Sequence, residues 1–398
     1  MINENLQTKI IDEYDVVVCG GGFAGISAAL ASARHGKKTL LLEKQYMLGG
    51  LATAGLVTII LPLCDGYGKQ VSYGIVEELL RLSIKYGAEW ECPEYWLNKT
   101  REITEDDRRF EARYNPQVFA ILAEQLLIEA GVNIMYGTYV TAVKKCGDKI
   151  DSIIVENKSG RGAYKVKSVV DATGDCDIAH FADAPTDTFK QGNILAAWHY
   201  IVDKEGYKLK TYGFSDIPDE EKTEENKVET LNNKRFLGLD EQELTEMTIL
   251  SHKEILKHFI EEKEKDSKHW PVTMPTIPQI RMTRKIRGEY EQSHKEMHTE
   301  FGDSVGMVSD WKKRGPVYEV PFRTLYNKSV KNLIVAGRCT SVNETLWDIM
   351  RVIPCCAVTG QAAGTAAALT DDFSSIDIEV LQKTLMEDGV VLHEKDIK

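Results

Sequence analysis

The chain has 398 residues and a formal net charge of −12, with 43% apolar and 28% charged residues. This length can supply two domains with substantial cores, and the composition is typical of a folded protein and not of a disordered one. The acidic balance argues against nucleic acid as an obligate partner and against binding to an anionic membrane surface.

The first predicted element is a strand, Tyr14 to Cys19, whose apolar run is typical of a buried parallel strand. It leads into a helix predicted over Phe23 to His35, where unpaired N–H groups at the helix start attract an anion. Between the two lies the pattern G-x-G-x-x-G, formed by Gly20, Gly22 and Gly25. Glycine there allows a tight turn, approach of backbone to a pyrophosphate and close helix packing. The turn therefore predicts a dinucleotide site that includes Phe23 and Ala24.

A second strand, Thr39 to Leu42, is predicted to bring the acid Glu43 to the same site. Its carboxylate can accept hydrogen bonds from both hydroxyls of an adenosine ribose. Lys44 follows, and then a flexible stretch that begins with Gly49 and Gly50, where backbone could follow a pyrophosphate and a flat ring. This second stretch favours FAD over NAD, and the chain carries no second G-x-G-x-x-G between a strand and a helix.

Further segments complete a larger pattern. A predicted strand that ends at Asp171 runs into Ala172, Thr173 and Gly174. Another strand carries Val140, and a third buried strand, from Asn332, ends at Gly337. With the first unit, these segments resemble the FAD-binding flavoproteins of the glutathione-reductase superfamily, in particular the branch of fumarate reductase and succinate dehydrogenase flavoproteins. Within that branch the likeness is to the bacterial FAD-dependent oxidoreductases, and it covers roughly residues 1–65, 114–203 and 270–370.

This resemblance implies where the cofactor meets the chain. Backbone at Ala172, Thr173 and Gly174 would pass close to FAD, Val140 would meet the adenine, and Gly337 would meet the ribitol. Many relatives place an acid after that last glycine to bind the ribitol hydroxyls, whereas this chain has Arg338. Arg338 could instead face the pyrophosphate or a substrate carboxylate, with Glu344 or Asp348 as the hydroxyl acceptor.

The last helix is expected to start near Thr359, at a run of small residues. In the family its N-terminus, here at Gly360, would point at the pyrimidine edge of the flavin. The helix dipole and free N–H groups would stabilise negative charge on the reduced ring there. A tightly packed small-residue helix is compatible with the same pattern.

The motifs predict an α/β protein with a Rossmann-like FAD-binding domain of the glutathione-reductase type and an inserted α+β substrate or cap domain. The FAD-binding domain is expected over 1–64, 114–190 and 320–385, with a helical insertion over 65–113 and the substrate or cap domain over 191–319. Helices are predicted at 74–86 and 118–130, with strands of the family's small sheet at 132–135, 138–146, 150–156 and 163–167. The inserted domain is predicted to contain a strand at 194–202 and a helix at 241–265 with a capping box at Asp240 and Glu243.

Two kinds of residue in the inserted domain are candidates for catalysis. Arg281, Arg284 and Arg287 follow one another at a spacing of three. In resembling families an arginine and a histidine hold the substrate carboxylate, or an arginine delivers a proton during C=C reduction. His199 is the candidate acid or base, because its unperturbed pKa lies near neutrality. Alternatively, these arginines pair with nearby acids and the histidine is buried in the core. Arg351 is a further catalytic candidate, expected on the flavin side.

Eight cysteines without C-x-x-C or zinc spacing predict free thiols and no metal site, and fit a reducing compartment. The first fifteen residues show no basic start followed by an apolar stretch, and no apolar run is long enough to span a bilayer. We therefore expect a cytoplasmic protein without a membrane partner. Cys355 and Cys356 precede the flavin-facing helix and act either in chemistry or as buried small apolar residues.

The predicted function is exchange of a hydride between flavin N5 and a small organic substrate that carries a carboxylate or a carbonyl. The alternatives are a flavin monooxygenase or halogenase, and an FAD-binding protein like the tRNA-modification flavoproteins. Because a second nucleotide fingerprint is absent, electrons would come from the substrate or from a protein electron-transfer partner. The sequence leaves open whether the protein forms a homo-oligomer.

Overall fold

The computed structural model describes residues 5–88, 111–213, 222–225 and 230–397. Its helices, in chain order, are α1 (Phe23–Arg34), α2 (Ile75–Ser83), α3 (Pro116–Glu129), α4 (Asp177–Phe181), α5 (Glu241–Lys265), α6 (Glu344–Met350), α7 (Ile353–Leu369) and α8 (Ile378–Glu387). Its strands are β1 (Lys9–Cys19), β2 (Thr39–Leu42), β3 (Ile59–Ile60), β4 (Ala112–Arg113), β5 (Asn133–Met135), β6 (Tyr139–Cys146), β7 (Lys149–Asn157), β8 (Gly160–Asp171), β9 (Thr186–Thr188), β10 (Ala197–Asp203), β11 (Gly206–Tyr212), β12 (Trp270–Thr273), β13 (Arg284–Ile286), β14 (Ser304–Ser309), β15 (Val317–Pro321) and β16 (Leu333–Val335).

A parallel sheet in the order β5-β2-β1-β8-β16 forms the centre of the fold. Cys19 at the end of β1 lies beside Leu42 on one side and Asp171 on the other, and Asp171 lies beside Val335. Four strands therefore end at one edge of the sheet, and in open α/β sheets ligands bind outside such carboxyl ends.

Both faces of this sheet are covered at the second half of β1, which explains the apolar run 16–19. Val16 and Val18 belong to the apolar cluster that contains α1 and α7, whereas Val17 and Cys19 belong to the cluster on the other face. All four side chains are fully buried. A strand buried on both faces has no need for polar residues at alternate positions.

The prediction that strands at 132–135, 138–146, 150–156 and 163–167 form the family's small sheet is wrong, because all four belong to the central sheet. β5 pairs in parallel with β2 there. β6 and β7 form a hairpin through Gly147 and Asp148, as predicted, but β7 pairs with the first half of β8. β8 is one continuous strand whose second half pairs with β16, so the hairpin is an antiparallel extension of the central sheet.

Helices α1 and α7 pack with their backbones in close contact. A Cβ atom added to Gly360 or Gly364 of α7 would overlap the backbone of Ala24 or Ala28 in α1. The predicted start of α7 near Thr359 is wrong, because the helix begins at Ile353 with Pro354 in its first turn. Gly360 therefore lies inside the helix as a packing residue and not at its N-terminus.

The inserted region contains a sheet in the order β11-β10-β12, covered by α5. The bounds of α5 are confirmed, and Asp240 caps it by accepting a hydrogen bond from the N–H of Glu243. Met247 and Ile255 are buried, while Leu244 and Phe259 are only half-buried. The strand predicted from Ile194 begins at Ala197.

Parts of two predicted regions lie outside the described residues, namely 89–110 of the helical insertion and 214–221 and 226–229 of the substrate or cap domain. Among the described residues, no single helix is long and apolar enough to cross a membrane. The pair α6 and α7 reaches that length and composition together, but is bent by 88° at its break.

Replacement of Gly360 by alanine should destabilise the protein, because the new Cβ overlaps the α1 backbone, which cannot rotate away as a side chain could. We expect a loss of roughly 2 kcal/mol or more in the free energy of unfolding, measured by chemical denaturation. Gly302→Ala is the matched control, because Gly302 is exposed and nothing lies within 4 Å of an added Cβ. Equal stability of the two variants would contradict the packing role.

Candidate functional site

A cavity of about 690 Å³ opens at the edge where β1, β2, β8 and β16 end. Most of the residues predicted to bind the cofactor line it, namely Gly20, Gly22, Phe23, Ala24, Glu43, Lys44, Gly49, Gly50, Val140, Ala172, Thr173, Gly174, Gly337 and Arg338. Gly25 and Gly360 are not in the lining. Gly25 packs against the backbone of Gly20, and Gly360 packs against α1.

The glycine turn places the N-terminus of α1 on the cavity wall. Gly20 has a positive φ of 102°, and Gly22 is the N-cap residue of α1. The N–H of Gly49 donates to the carbonyl of Gly21 at 2.7 Å, which fixes the second glycine stretch beside the first. Nothing lies within 4 Å of a Cβ added to Gly22, so a side chain there would enter the open cavity. The turn thus leaves room for an anion against unpaired N–H groups.

Glu43 is held in place at the end of β2 by backbone. One carboxylate oxygen accepts the N–H of Gly21 at 2.7 Å, and the other accepts the N–H of Gln45 at 2.7 Å. Its side chain is buried, and this burial raises the pKa of Glu43 despite both hydrogen bonds. Each oxygen retains a lone pair, so the carboxylate can also accept the two hydroxyls of a ribose, as predicted.

Asp171, which sequence reasoning did not single out, organises the loop that follows β8. Its fully buried carboxylate accepts the hydroxyl of Thr173 at 2.6 Å and the N–H groups of Ile178 and Ala179 at 2.9 and 3.0 Å. Burial raises the pKa of Asp171, with these hydrogen bonds acting in the opposite direction. The carboxylate therefore fixes the loop that carries Asp175 and the start of α4 along the cavity.

Arg338 faces protein groups as well as the cavity. Its guanidinium donates to the carbonyl oxygens of Ile280 and Arg281 at 2.6 and 3.0 Å, and lies 3.4 Å from the carboxylate of Asp175. The oxygen of Asp175 that faces Arg338 also accepts the hydroxyl of Thr283 at 2.8 Å. Arg338, which stands where many relatives have an acid, thus links the end of β16 to the loop after β8.

Arg351 is the one catalytic candidate from the sequence that lines the described cavity. Its Nε donates to the buried carboxylate of Asp348 at 2.7 Å, and Lys312 pairs with the same carboxylate. Burial would raise the pKa of Asp348, but Arg351 and Lys312 outweigh it and hold this pKa below its usual value. Asp348 is thereby engaged with cations, and neither it nor Glu344 lines the cavity.

Arg281 and Arg284 lie behind the cavity wall. The guanidinium of Arg281 lies 5.2 Å from the ring of Trp198, and burial, followed by the charge of Arg351, lowers the pKa of Arg281 to about 9. Arg284 lies on β13 and approaches Asp177, a cavity residue, at 3.7 Å. One buried guanidinium nitrogen of Arg284, Nη1, has no hydrogen-bond partner among the described residues. Arg287 is exposed and pairs with Asp187, as the alternative interpretation expected.

The structure does not bring His199 to the cavity. Its ring is buried between β10 and α5, where Nδ1 lies 3.0 Å from the carbonyl of Ala197 and the ring stacks on Tyr212. Burial lowers the pKa of His199, which favours the neutral form. The interpretation as a core histidine is therefore the one that the structure supports.

Sequence reasoning missed the cavity face of α5. This face is formed by residues spaced one helical turn apart, namely Glu241, Leu244, Thr245, Thr248, Ile249 and His252. The spacing of three and four is visible in the sequence, but spacing alone does not show whether a helix face packs in the core or lines a cavity. His252 is the histidine that this face presents to the cavity.

The thiol of Cys356 also lines the cavity, in the first turn of α7. A helix N-terminus can lower the pKa of a nearby thiol, but burial outweighs it here and raises the pKa of Cys356 to about 12. Cys356 is therefore a neutral thiol at pH 7. Its neighbour Cys355 is fully buried, and burial raises its pKa as well. Every cysteine among the described residues is free.

These residues fit FAD. The open space before Gly22 accepts a pyrophosphate at the start of α1, and Glu43 offers acceptors to the adenosine ribose. The same cavity is also lined by Gly49, Gly50 and Arg351, and its volume of about 690 Å³ is large enough for a dinucleotide to enter in part.

Comparison with known proteins agrees with this fit. A family model described as FAD dependent oxidoreductase matches residues 15–197 and 187–385 of the chain. The tRNA uridine 5-carboxymethylaminomethyl modification enzyme of Protochlamydia amoebophila is 34% identical over 126 residues, which are 29% of this chain and 20% of that enzyme. The match thus spans about a fifth of the length of that curated relative.

Solved structures with a similar arrangement include a geranylgeranyl bacteriochlorophyll reductase-like protein from Thermoplasma acidophilum. It has a TM-score of 0.49 and 14% identity, over 95% of this chain and 83% of that chain. The p-nitrophenol 4-monooxygenase of Pseudomonas putida has a TM-score of 0.49 and 12% identity, over 94% of this chain and 84% of that chain.

The substitution Glu43→Gln should weaken FAD and ADP alike, because it removes a charged acceptor from the adenosine side of the cavity. A hydrogen bond to a charged group contributes about 1.5–3 kcal/mol, so we expect affinity to fall about tenfold or more. The affinity for FAD is measured from the fluorescence of the released flavin. Glu129→Gln, at an exposed position, is the control, and unchanged FAD affinity in Glu43→Gln would contradict the assigned role.

Asp177 should make stability depend on pH. Burial, followed by the carboxylate of Asp175, raises its pKa to about 6 from an ordinary value of 3.8. Between these values the folded chain holds a proton that the unfolded chain has lost, so the stabilisation is complete below pH 3.8 and is lost as pH rises through 6. The Tm of the native protein minus that of Asp177→Asn should therefore decrease from about pH 4.5 to pH 7.

The exposed residue Asp183, replaced by asparagine, provides the control for loss of one carboxylate. Its Tm difference from the native protein should stay flat over the same pH range. A flat profile for Asp177→Asn as well would show that Asp177 titrates at an ordinary pH.

Proposed function

The chain belongs to the FAD dependent oxidoreductase family and binds FAD, and on this basis we propose that it exchanges a hydride between flavin N5 and a small substrate bearing a carboxylate or a carbonyl. The observation that carries this proposal is the guanidinium of Arg351 on the wall of the FAD cavity. Arg351 lies two residues before α7, and Ile353 at the start of that helix lines the same cavity.

The charges around Arg351 favour an anionic guest. The pKa of Arg281 responds to Arg351, Asp348 and Arg338, so these groups share one electrostatic environment. With their ion-pair partners they comprise four cations and two carboxylates, namely Arg281, Arg338, Arg351, Lys312, Asp348 and Asp175. A substrate carboxylate would offset part of this positive excess, and a guanidinium binds a carboxylate in a fixed, bidentate geometry.

When bound, FAD supplies the hydride chemistry, and the chain supplies binding, orientation and exclusion of water. Arg351 would orient the substrate carboxylate, held by Asp348 so that its side chain loses little freedom on binding. His252 on α5 would give or take the proton, in place of His199. Leu244, Ile249 and Pro278 add apolar surface to the lining of the cavity.

The finer position within the superfamily is part of the same proposal. The loop Ala172, Thr173 and Gly174 and the residues Ala336 and Gly337 after β16 support the fumarate reductase and succinate dehydrogenase flavoprotein branch, since both segments line the cavity. A monooxygenase or halogenase remains the alternative, and NADPH-coupled consumption of oxygen would distinguish it.

The other alternative is a role like that of the tRNA-modification flavoproteins. The curated relative that matches is named as such an enzyme, but the match covers 29% of this chain. The net charge of −12 disfavours RNA, and filter binding at low salt would decide. The free cysteines of the described residues support a reducing compartment such as the cytoplasm, and electrons would pass to or from the substrate or a protein partner.

The substitution Arg351→Lys should lower the rate at which a carboxylate-bearing substrate bleaches the flavin under anaerobic conditions. Lysine keeps the charge beside Asp348 but loses the bidentate geometry, and we expect a decrease of about tenfold or more in kcat/KM. Arg287→Lys is the matched control, because Arg287 is exposed and lies outside the cavity. Equal rates in both variants, with a panel of unsaturated and hydroxy acids, would remove the basis of the proposal.

A further inference from the structure

Two acids lie on opposite sides of the glycine turn. Glu43 follows β2, whereas Asp175 follows β8, and β2 and β8 flank β1 on its two sides. The carboxylate of Glu43 accepts the N–H of Gly21. On the other side, a Cβ added to Gly20 would overlap the backbone of Ala172, at the start of the loop that carries Asp175. Both carboxylates line the cavity, with the N-terminus of α1 between them.

The carboxylate of Asp175 has one oxygen fixed and one oxygen available. Oδ1 accepts the hydroxyl of Thr283 at 2.8 Å and faces a nitrogen of Arg338 at 3.4 Å. Oδ2 accepts no hydrogen bond from any residue that the structure describes. The side chain is 19% exposed, so Oδ2 is held in a fixed direction within a largely dry environment. An acceptor held in this way suits a hydroxyl donor from a ligand.

The chemistry of FAD has the same two-sided arrangement. Its pyrophosphate joins two chains that carry hydroxyl groups, the ribose of adenosine and the ribityl chain of the flavin. The pyrophosphate belongs at the start of α1, and a carboxylate beside it cannot be a phosphate partner, because like charges repel. A carboxylate on each side of the turn therefore matches a hydroxyl-bearing chain on each side of the pyrophosphate.

We propose that Oδ2 of Asp175 accepts hydrogen bonds from the ribityl hydroxyls of FAD, and that Thr283 and Arg338 position this carboxylate. Arg338 then acts through Asp175, since its guanidinium is engaged with that carboxylate and with the carbonyls of Ile280 and Arg281. Asp348, an acceptor considered from the sequence, is fully buried against Arg351 and Lys312. The inference rests on FAD binding and is independent of the substrate proposed above.

The test compares FAD with ADP, which lacks the ribityl chain. Holoenzyme carrying Asp175→Asn is diluted to measure the FAD dissociation constant by flavin fluorescence, and is titrated with ADP to measure competitive displacement. We expect FAD affinity to fall about tenfold or more while ADP affinity stays within about twofold. Asp183→Asn, an exposed carboxylate lost at the surface, should change neither affinity.

A second variant tests the proposal in case Asp175→Asn folds poorly. Thr283→Val keeps the carboxylate but removes one of the donors that fix Oδ1, and should weaken FAD about threefold with ADP unchanged. Circular dichroism melting confirms that the variants are folded. An equal loss of FAD and ADP affinity, or unchanged FAD affinity in both variants, would overturn the proposal.

Discussion

The close approach of backbone to backbone around α1 is the constraint on which the rest of the structure depends. On one side, the glycine turn at the start of α1 packs against the segment after β8, through Gly20 and Ala172. On the other side, α7 packs against the α1 backbone at Gly360 and Gly364. No larger residue would permit either contact. The result is a thin helix held between sheet and helix, with its N-terminus exposed only to the cavity.

Charge then decides what each part of the cavity can accept. The start of α1 offers N–H groups to an anion, and the acids Glu43 and Asp175 on either side exclude anions and accept hydroxyls. Farther along, Arg351 and its neighbours form a second cationic region around the buried Asp348. A ligand with an anionic centre and a hydroxyl-bearing chain on each side of it would match the start of α1, Glu43 and Asp175. The cationic region around Arg351 is then left for a substrate.

Sequence reasoning succeeded where the signals are local. The strand, turn, helix and second strand between Tyr14 and Glu43 follow from adjacent residues, and their bounds were predicted to within one residue except for the start of β1, which is Lys9 and not Tyr14. The start of α7 was misplaced because Pro354 was not recognised as a first-turn proline, which a helix accepts since that N–H has no partner in any case. The bounds of α5 were predicted, but not that one of its faces lines the cavity.

The rest of the site could not be predicted because its contacts are distant in sequence. Thr283 and Arg338 approach Asp175 across 108 and 163 residues, and nothing in the local pattern indicates either contact. For the same reason, His199 could be assigned to a strand but not to a side of it, since α5 determines which face is covered. Side chains that act through long-range neighbours become visible only with the fold.

The discontinuous wall of the cavity has a consequence for biosynthesis. Gly20 and Gly337 line the same cavity from opposite ends of the chain, and β16 completes the sheet edge beside Asp171. The wall of the cavity is therefore incomplete until the chain has been synthesised beyond Gly337. FAD can thus stabilise the native state only after that point, because it binds the folded chain and not the unfolded chain.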